Sequence, residues 1–297
     1  MHLVCFGLGY VGAHLARALV ADGWQVTGTV RDPARAAALS GPGLAMLAYD
    51  GATVGEALAA RLAAATHLLG SIPPDEAAGG EDTGGDPALR ALAAAGTPPR
   101  LAWAGYLSTT GVYGDTGGAW VDEDSPAAPA DAKAAARLAA EAAWRRWQAH
   151  SGIALDILRL AGIYGPGRSA LDAVREGRAR RIVKPGQVFS RIHVDDIVAA
   201  VRACIARPDG LRVFNVCDDE PAPPQDVTAF ACALAGVAPP AEEPFETAAL
   251  GPAARRFYAA NRRVSSARIK AALGLAWRHP TYRSGLQALA LADHANR

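Results

Sequence analysis

A glycine-rich turn near the N-terminus constrains the fold of this chain more than any other stretch. The apolar run Leu3-Val4-Cys5-Phe6 predicts a buried strand, and it leads into the turn Gly7-Leu8-Gly9-Tyr10-Val11-Gly12. Apolar residues at helical spacing follow, and Gln25-Val26-Thr27-Gly28-Thr29-Val30 predicts a second strand. A strand, a tight turn, a helix and a further strand in this order predict an α/β fold that binds a dinucleotide.

Three glycines of the turn have separate physical roles in such a site. Gly7 permits the turn, Gly9 lets a pyrophosphate approach the backbone, and Gly12 lets the helix pack closely against the strand. The phosphates would lie at the helix N-terminus, where unpaired N–H groups and the helix dipole favour anions. Leu8, Tyr10 and Val11 are expected to belong to the same cofactor site. The alternative is a glycine-rich turn of an α/β protein that binds nothing.

The end of the second strand indicates which dinucleotide is bound. An NAD site usually has an acid there, about 20 residues after the glycines, that binds the ribose 2′-OH. Arg31 follows Val30 in this chain, and Arg35 lies one helical turn further on, so two guanidinium groups could bind the 2′-phosphate of NADP. Asp32 would restore an NAD site if the register slipped by two residues. It precedes Pro33, however, and fits a helix cap better. The sequence therefore favours NADP over NAD.

Length, charge and cysteine usage limit the class of protein. At 297 residues the chain is long enough for one large domain or two closely joined ones. Its net charge of +1 does not indicate a nucleic-acid or membrane partner, and no apolar run is long enough to span a bilayer. The four cysteines are scattered, which predicts reduced thiols in a cytoplasmic protein. No metal site is expected, because no second His or Cys lies at ligand spacing from His193.

Predicted strands and helices alternate through the first half of the chain, which predicts a doubly wound parallel sheet with helices on both faces. Asp50 ends the third strand and would either contact the adenine or cap the helix predicted over Val54–Ala65. Ser71 and Ile72 end the fourth strand and are expected to line the cofactor site. The segment 75–86, rich in glycine and acids, predicts a mobile loop, either a lid over the cofactor or a solvated loop.

Four collinear motifs resemble the extended short-chain dehydrogenase/reductases, the NAD-dependent epimerase/dehydratase family. They are LSTTGVYG followed by VDEDSP and RLAAEAAW, then LRLAGIYGPGR, SRIHVDDIVAAV and FNVCDDEP. The resemblance implies a Rossmann domain over 1–164, with its sheet completed by about 191–217. It also implies a small C-terminal substrate-binding lobe formed by 165–190 and 218–297. The resemblance further implies that Ile163 lines the nicotinamide end. It also implies a homodimer through a face that includes 131–148, although the many alanines there could equally pack against the chain's own lobe.

The family uses a Ser or Thr after the fifth strand and a Tyr-x-x-x-Lys pair on the next helix. By this resemblance Thr109 takes the Ser/Thr position and orients the reacting oxygen. In one register Arg137 takes the Lys position and Lys133 the Tyr position. In a second register Lys133 is the family lysine and Pro129 takes the Tyr position. Neither register supplies a tyrosine, so the chain resembles the atypical members that lack the pair.

Several residues could replace the missing tyrosine. Arg137 could bind the ribose hydroxyls, and Lys133 could exchange a proton if it were desolvated beside a cation, or could simply face solvent. Tyr113 or Tyr164 could donate a proton from elsewhere, although both lie inside motifs where the ring is expected to pack. Two functions are therefore open: an NADP(H)-dependent oxidoreductase or epimerase that acts on a small substrate, and a dinucleotide sensor without catalysis.

A cluster of basic residues follows the Gly165-Pro166-Gly167 turn, in the region that the resemblance assigns to substrate binding. Such a cluster could hold an anionic or sugar-like substrate, or it could be a solvated face. Its members are Arg168, Arg175, Arg178, Arg180, Arg181, Lys184 and Arg191.

Overall fold

The computed structural model describes residues 1–76 and 82–295, which fall into two compact units. The first unit comprises Met1–Thr109, Asp131–Arg159 and Val198–Phe214, and the second comprises the remaining segments. Residues 77–81, part of the predicted loop 75–86, lie outside the described residues. The first unit covers most of the predicted Rossmann domain. Residues 110–130, within the predicted 1–164 domain, belong to the second unit, as do residues 160–197.

The strands, in chain order, are β1 (His2–Phe6), β2 (Gln25–Val30), β3 (Leu44–Ala48), β4 (His67–Gly70), β5 (Trp103–Thr109), β6 (Trp120–Val121), β7 (Ala154–Leu160), β8 (Gly162–Tyr164), β9 (Arg181–Val183), β10 (Arg191–His193), β11 (Leu211–Val216), β12 (Glu242–Pro244) and β13 (Arg263–Val264).

The helices are α1 (Tyr10–Ala21), α2 (Pro33–Leu39), α3 (Glu56–Ala63), α4 (Pro87–Ala95), α5 (Ala132–Ser151), α6 (Ala170–Arg175), α7 (Val194–Ala206), α8 (Pro224–Leu234), α9 (Pro252–Phe257), α10 (Ala267–Leu273) and α11 (Tyr282–Ala295). A 3-10 turn covers Thr110–Tyr113. No helix among the described residues is both long enough and apolar enough to cross a membrane.

The main sheet has seven strands in the order β3-β2-β1-β4-β5-β7-β11. β1 pairs in parallel with β2 on one side and with β4 on the other, so that Val4 lies opposite both Thr27 and Leu68. From β1 the next strands are added on one side of the sheet, as β2 and β3, and from β4 they are added on the other side, as β5, β7 and β11. In open parallel sheets, ligands bind outside the carboxyl ends of the strands at this reversal point. The predicted doubly wound sheet is confirmed.

Side-chain caps explain where three helices of the first unit begin. The carboxylate of Asp32 accepts a hydrogen bond from the N–H of Ala34 at 2.9 Å, and Pro33 occupies the first helical position. Asp86 and Asp131 cap α4 and α5 in the same way. The core of this unit lies where α5 and the helices beside it cover the sheet, and it includes Phe6, Tyr106 and Trp144.

The second unit contains three short strand pairs, β8 with β10, β9 with β12, and β6 with β13. One apolar cluster of this unit joins α6, α8 and α11 around the buried ring of Tyr282. A smaller cluster packs Ile182 against Ala248 and Tyr258. These short strands have no alternating apolar pattern long enough to identify them in the sequence.

Candidate cofactor site

A cavity of about 1030 Å³ lies within the first unit, at the carboxyl ends of β1, β2, β3 and β4. This volume is at the upper end of the range for small-molecule sites. Eight of the predicted cofactor residues line it, namely Gly7, Leu8, Gly9, Arg31, Arg35, Asp50, Ser71 and Ile72. The structure therefore brings together the ends of four strands that are far apart in the sequence.

Gly7 has the conformation that the predicted turn requires. Its φ of +87° lies in the region that residues with a side chain rarely adopt, and an added Cβ would be 2.7 Å from Cγ1 of Ile72. Thr29 fixes the turn from the neighbouring strand, because its hydroxyl accepts from the Gly7 N–H and its carbonyl accepts from the Leu8 N–H, both at 2.9 Å. The positive φ and the close approach of Ile72 therefore both disfavour a side chain at position 7.

Gly9 and Gly12 also match the roles predicted for them. A Cβ at Gly9 would meet no heavy atom within 4 Å, so the space beside this backbone is open to a ligand. A Cβ at Gly12 would be 3.2 Å from the Gly7 carbonyl and 3.3 Å from Sγ of Cys5, so this glycine permits close packing of helix on strand. No side chain caps α1, and its first turn holds no acid. The helix N-terminus thus fits a pyrophosphate.

The cavity wall at the end of β2 carries two exposed arginines and an acid. Among the described residues, Arg31 and Arg35 make no hydrogen bond or ion pair, whereas Asp32 caps α2 through one carboxylate oxygen. The cap predicted for Asp32 is confirmed. Two guanidinium groups with unused donors at the ribose end of a dinucleotide site provide the charge and geometry that bind a phosphate.

Asp50 lines the cavity at the end of β3, but it does not cap the next helix. Its carboxylate accepts from the N–H groups of Ala52 at 2.8 Å and Thr53 at 2.9 Å, which holds its pKa below the usual range. The N-cap of α3 is Gly55, so the predicted helix cap at Asp50 is wrong. Asp50 therefore orders the turn after β3 through Oδ1, and both of these hydrogen bonds leave its Oδ2 for other partners.

Four predicted cofactor residues lie elsewhere. Tyr10, Val11 and Gly12 form the first turn of α1 without lining the cavity, and the Tyr10 ring packs against His14 with centroids 4.9 Å apart. Ile163 is the half-buried central residue of β8 in the second unit, where it pairs with Ile192. Its contact with the nicotinamide stays a prediction.

The cavity is also lined by residues that the sequence analysis did not identify. Arg90 of α4 lies on its wall and forms an ion pair with Asp75, and the hydroxyl of Tyr49 donates to the Pro87 carbonyl at 2.7 Å. Burial raises the pKa of Tyr49 to about 12. An arginine in a predicted helix gives no sign that it faces a distant strand end, and so the sequence held no clear signal for Arg90.

The three predicted catalytic residues lie on β5 and α5 of the first unit. Thr109 is the last residue of β5 and is half-buried, and Lys133 is exposed in the first turn of α5. Arg137 faces the strand, because its Nη1 donates to the Leu107 carbonyl at 2.7 Å and to the Tyr106 hydroxyl at 3.3 Å. None of the three lines the cavity described above.

A buried charge network fixes the segment just before Thr109. Ser108 donates to Oε1 of Glu141 at 2.5 Å, and Arg159 binds both oxygens of the same carboxylate. All three side chains are at most 6 % exposed. A bidentate, hydrogen-bonded ion pair is the geometry that compensates the desolvation of two buried charges. The network joins β5, α5 and β7 and so positions the end of the strand that carries Thr109.

The two tyrosines considered as replacements are both buried in the second unit. The Tyr113 hydroxyl donates to Asn215 at 2.8 Å, and the Tyr164 hydroxyl donates to the Thr281 carbonyl at 3.4 Å. Burial raises the pKa of Tyr164 well above its ordinary value. A buried phenol that holds its proton this strongly is a poor acid–base catalyst near neutral pH.

Acids of the same unit neutralise most of the basic cluster. Four of its arginines form ion pairs, Arg175 with Asp293, Arg178 with Glu176, Arg180 with Glu243, and Arg181 with Glu242. The Lys184 ammonium donates to the Tyr258 carbonyl. These contacts favour the solvated, structural interpretation of the cluster over an anion site.

A histidine that is distant in the sequence lies beside His193. The centroids of the His279 and His193 rings are 4.0 Å apart, although no second histidine lies at ligand spacing in the sequence. The two residues are too far apart in sequence for a spacing rule to relate them.

The strand order, the glycine turn and the cavity at the strand ends define an α/β protein with a Rossmann-type dinucleotide site. The model of the NAD dependent epimerase/dehydratase family matches residues 3–217. The chain belongs to this family, as its motifs predict.

Two named proteins and one solved structure are also similar to this chain. The chain is 32% identical over 219 residues to protein YeeZ of Escherichia coli (strain K12), which covers 71% of this chain and 75% of that protein. It is 30% identical over 311 residues to 3-diazoavenalumate denitrifying reductase of Streptomyces sp., covering 96% and 98%. A solved structure of a functionally unknown conserved protein from Silicibacter pomeroyi DSS is 45% identical, with a TM-score of 0.85 and coverage of 98% and 99%.

Proposed function

We propose that this protein is an NADP(H)-dependent oxidoreductase or epimerase of the short-chain dehydrogenase/reductase type, and that it acts on a small-molecule substrate. Family membership over residues 3–217 supports a nicotinamide cofactor. The relative named as a reductase, which matches nearly the whole chain, supports an enzyme. The missing Tyr-x-x-x-Lys pair sets this chain apart from ordinary members and requires another route for the proton.

The environment of Arg31 and Arg35 carries the preference for NADP. Both arginines line the cavity without a hydrogen bond or ion pair to any described residue, and Asp32, which lies between them in the sequence, caps α2. Two arginines suit the 2′-phosphate of NADP. The Asp32 carboxylate, which already accepts the Ala34 N–H, is less able to bind the ribose 2′-hydroxyl of NAD and would repel a 2′-phosphate less than an unbound carboxylate. NAD would be the preferred cofactor if Asp32 turned its second oxygen to the ribose.

A binding titration tests this preference. Nicotinamide fluorescence would be followed for NADPH and NADH with the wild type and with Arg31→Ala, Arg35→Ala and Arg17→Ala. Loss of one charge-assisted hydrogen bond costs about 1.5–3 kcal/mol, so each of the first two variants should bind NADPH about 10–150-fold more weakly. NADH affinity should change little. Arg17 is exposed on α1 and does not line the cavity, so it controls for net charge. Tighter NADH binding by the wild type would refute the preference.

Bound nicotinamide would supply or accept a hydride, and the chain's own residues would orient the substrate and move the proton. We assign the orienting hydroxyl to Thr109, at the end of the strand that the Ser108–Glu141 network fixes. Arg137 keeps guanidinium donors beyond those bound to Leu107 and Tyr106, and these suit the ribose hydroxyls. Lys133 is exposed, so the desolvation that would suit its ammonium to proton exchange is absent. Water is therefore the favoured carrier of the proton, and Lys133 is the alternative.

Three substitutions separate these roles once a carbonyl or sugar substrate is found by screening with NADPH. Thr109→Val should abolish turnover, and Thr109→Ser should retain it because the hydroxyl remains. Lys133→Met should slow turnover if the ammonium carries the proton and leave it unchanged if water does. Full activity of Thr109→Val would refute the role of Thr109 without affecting the assignment of the cofactor.

A dinucleotide sensor without catalysis is the second candidate function. The absence of a tyrosine from α5 favours it, together with the burial of Tyr113 and Tyr164. Its signature would be stoichiometric NADPH binding that changes a partner interaction, with no turnover of any carbonyl or sugar substrate. Reproducible substrate-dependent oxidation of NADPH would exclude it.

Location and assembly are further proposals. All four cysteines are buried and free, which supports a reducing, cytoplasmic environment. A homodimer through 131–148 stays a prediction, and sedimentation would test it.

A further inference from the structure

Two buried histidines and one carboxylate meet in the second unit, outside every residue assigned to the cofactor or to catalysis. His193 ends β10, Asp195 lies in the first turn of α7, and His279 precedes α11. The histidine side chains are 2 % and 6 % exposed, whereas Asp195 is 41 % exposed. The group is therefore enclosed on the imidazole side and open to solvent through its carboxylate.

The ligand atoms of this group have the spacing of a metal site. Oδ2 of Asp195 lies 3.4 Å from Nε2 of His279 and 3.6 Å from Nδ1 of His193. One ligand atom from each residue lies within 4.8 Å of the others. A tetrahedral Zn²⁺ site with bonds of about 2.0–2.1 Å separates its ligand atoms by about 3.4 Å. Two of the three spacings thus match before any ion is bound.

The surrounding backbone holds the group in place. Asp196 accepts hydrogen bonds from the N–H groups of Arg278 at 2.7 Å and His279 at 3.0 Å, so it fixes the segment that carries the second histidine. The hydrogen bond from His279 is the main cause that keeps the pKa of Asp195 below its usual range. Asp196 therefore fixes the backbone that carries His279, and Asp195 contacts the His279 ring directly.

We propose that His193, Asp195 and His279 form a binding site for one divalent transition metal, such as Zn²⁺. Two imidazoles and one carboxylate suit Zn²⁺ and similar metals better than Mg²⁺ or Ca²⁺, and water would complete the tetrahedron. The ion would fasten the residues before α11 to the start of α7. It would replace three present contacts: the Asp195 N–H to His193 Nδ1 at 3.2 Å, the His279 Nε2 hydrogen bond to the Asp195 carboxylate at 3.4 Å, and the approach of the exposed Arg278 guanidinium to that carboxylate at 3.9 Å.

Metal titration of the full chain, purified without a polyhistidine tag and treated with chelator, tests the site. Zn²⁺ binding would be measured by calorimetry and Co²⁺ binding by the visible absorption of tetrahedral Co²⁺. The wild type should bind one equivalent of either ion, and Zn²⁺ should raise its melting temperature. His279→Asn and Asp195→Asn should each weaken binding by at least about tenfold. His150→Asn, at an exposed position in α5, should bind like the wild type.

Asp195→Asn keeps the test decisive if the histidine variant fails to fold, because Asp195 is partly exposed and the amide preserves its size. The proposal is overturned if the wild type takes up neither ion in a saturable way, or if Asp195→Asn binds as tightly as the wild type. It is also overturned if melting shifts with acid, but not with Zn²⁺, and the acid effect disappears in His279→Asn. That result would assign the histidine pair to proton binding.

Discussion

Replacing Gly9 by alanine is expected to weaken cofactor binding and to leave the fold intact. Gly9 has φ −81° and ψ −157°, an extended conformation that alanine adopts without strain. Its added Cβ would meet no heavy atom within 4 Å, and Gly9 lines the cavity. The methyl group would therefore occupy the space through which a pyrophosphate approaches the N–H groups of α1.

The size of the effect follows from the contact that is lost. A hydrogen bond from a backbone N–H to a charged phosphate contributes about 1.5–3 kcal/mol. Loss of one such bond raises the dissociation constant for NADPH about 10–150-fold. The free energy of unfolding should change by less than about 0.5 kcal/mol, because the methyl group touches no described residue.

Gly7→Ala provides the contrasting variant, because its main effect should be a lower free energy of unfolding. Its φ of +87° costs alanine about 1–2 kcal/mol, and the overlap with Ile72 adds about 1–3 kcal/mol. The sum of about 2–5 kcal/mol corresponds to a melting temperature roughly 4–10 °C lower, at about 2 °C per kcal/mol for a chain of this size.

Nicotinamide fluorescence and thermal unfolding would be measured for the wild type and both variants under the same conditions. The expected pattern is weak NADPH binding at an unchanged melting temperature for Gly9→Ala, and a lowered melting temperature for Gly7→Ala. The reasoning is refuted if Gly9→Ala binds NADPH as tightly as the wild type. It is also refuted if Gly9→Ala melts several degrees lower, since the site beside Gly9 would then not be open.

Further substitutions at Glu141, Gly285 and Asp218 test the packing and the buried charges by thermal unfolding. Glu141→Gln leaves the buried Arg159 without its carboxylate and should destabilise the fold by about 3–5 kcal/mol, and an unchanged melting temperature would contradict the paired geometry. The added methyl group of Gly285→Ala would overlap the Tyr164 hydroxyl and should lower the free energy of unfolding by about 1–3 kcal/mol. Adding Tyr164→Phe, which removes that hydroxyl, should restore part of the lost stability. A melting temperature of Gly285→Ala above that of the wild type would contradict the overlap. Burial raises the pKa of Asp218 from 3.8 to about 8, so the folded state holds a proton that the unfolded state releases. Stability should therefore fall as pH rises between about 4 and 8, and Asp218→Asn should flatten this dependence; an unchanged pH profile would refute it.

Local sequence signals predicted the fold well where one short segment determines the structure. The bounds predicted for β2 are those observed, and the predicted cap at Asp32 is present, because strand pattern and capping chemistry act over a few residues. The glycine roles were also predictable, since each follows from a fixed place in a strand–turn–helix unit.

Contacts between distant segments were not predictable from spacing. His279 reaches His193 only through the folding of the second unit, and Arg90 faces the cavity only because α4 packs beside the ends of β3 and β4. The basic cluster was ambiguous for the same reason. Its neutralising acids, such as Glu242 and Glu243, lie on β12, a strand of only three residues.

The neutralised basic cluster affects how an anionic substrate, compared with the dinucleotide cofactor, would approach the protein. Arginines that are already paired with acids, such as Arg180 with Glu243, project little net field into solution, so they would steer an anionic substrate weakly. The substrate association rate should therefore change little with ionic strength. Arg31 and Arg35 have no such partners among the described residues, and their attraction for a dinucleotide phosphate is screened over about 10 Å at 0.1 M salt. Added salt should slow the capture of the cofactor more than that of the substrate.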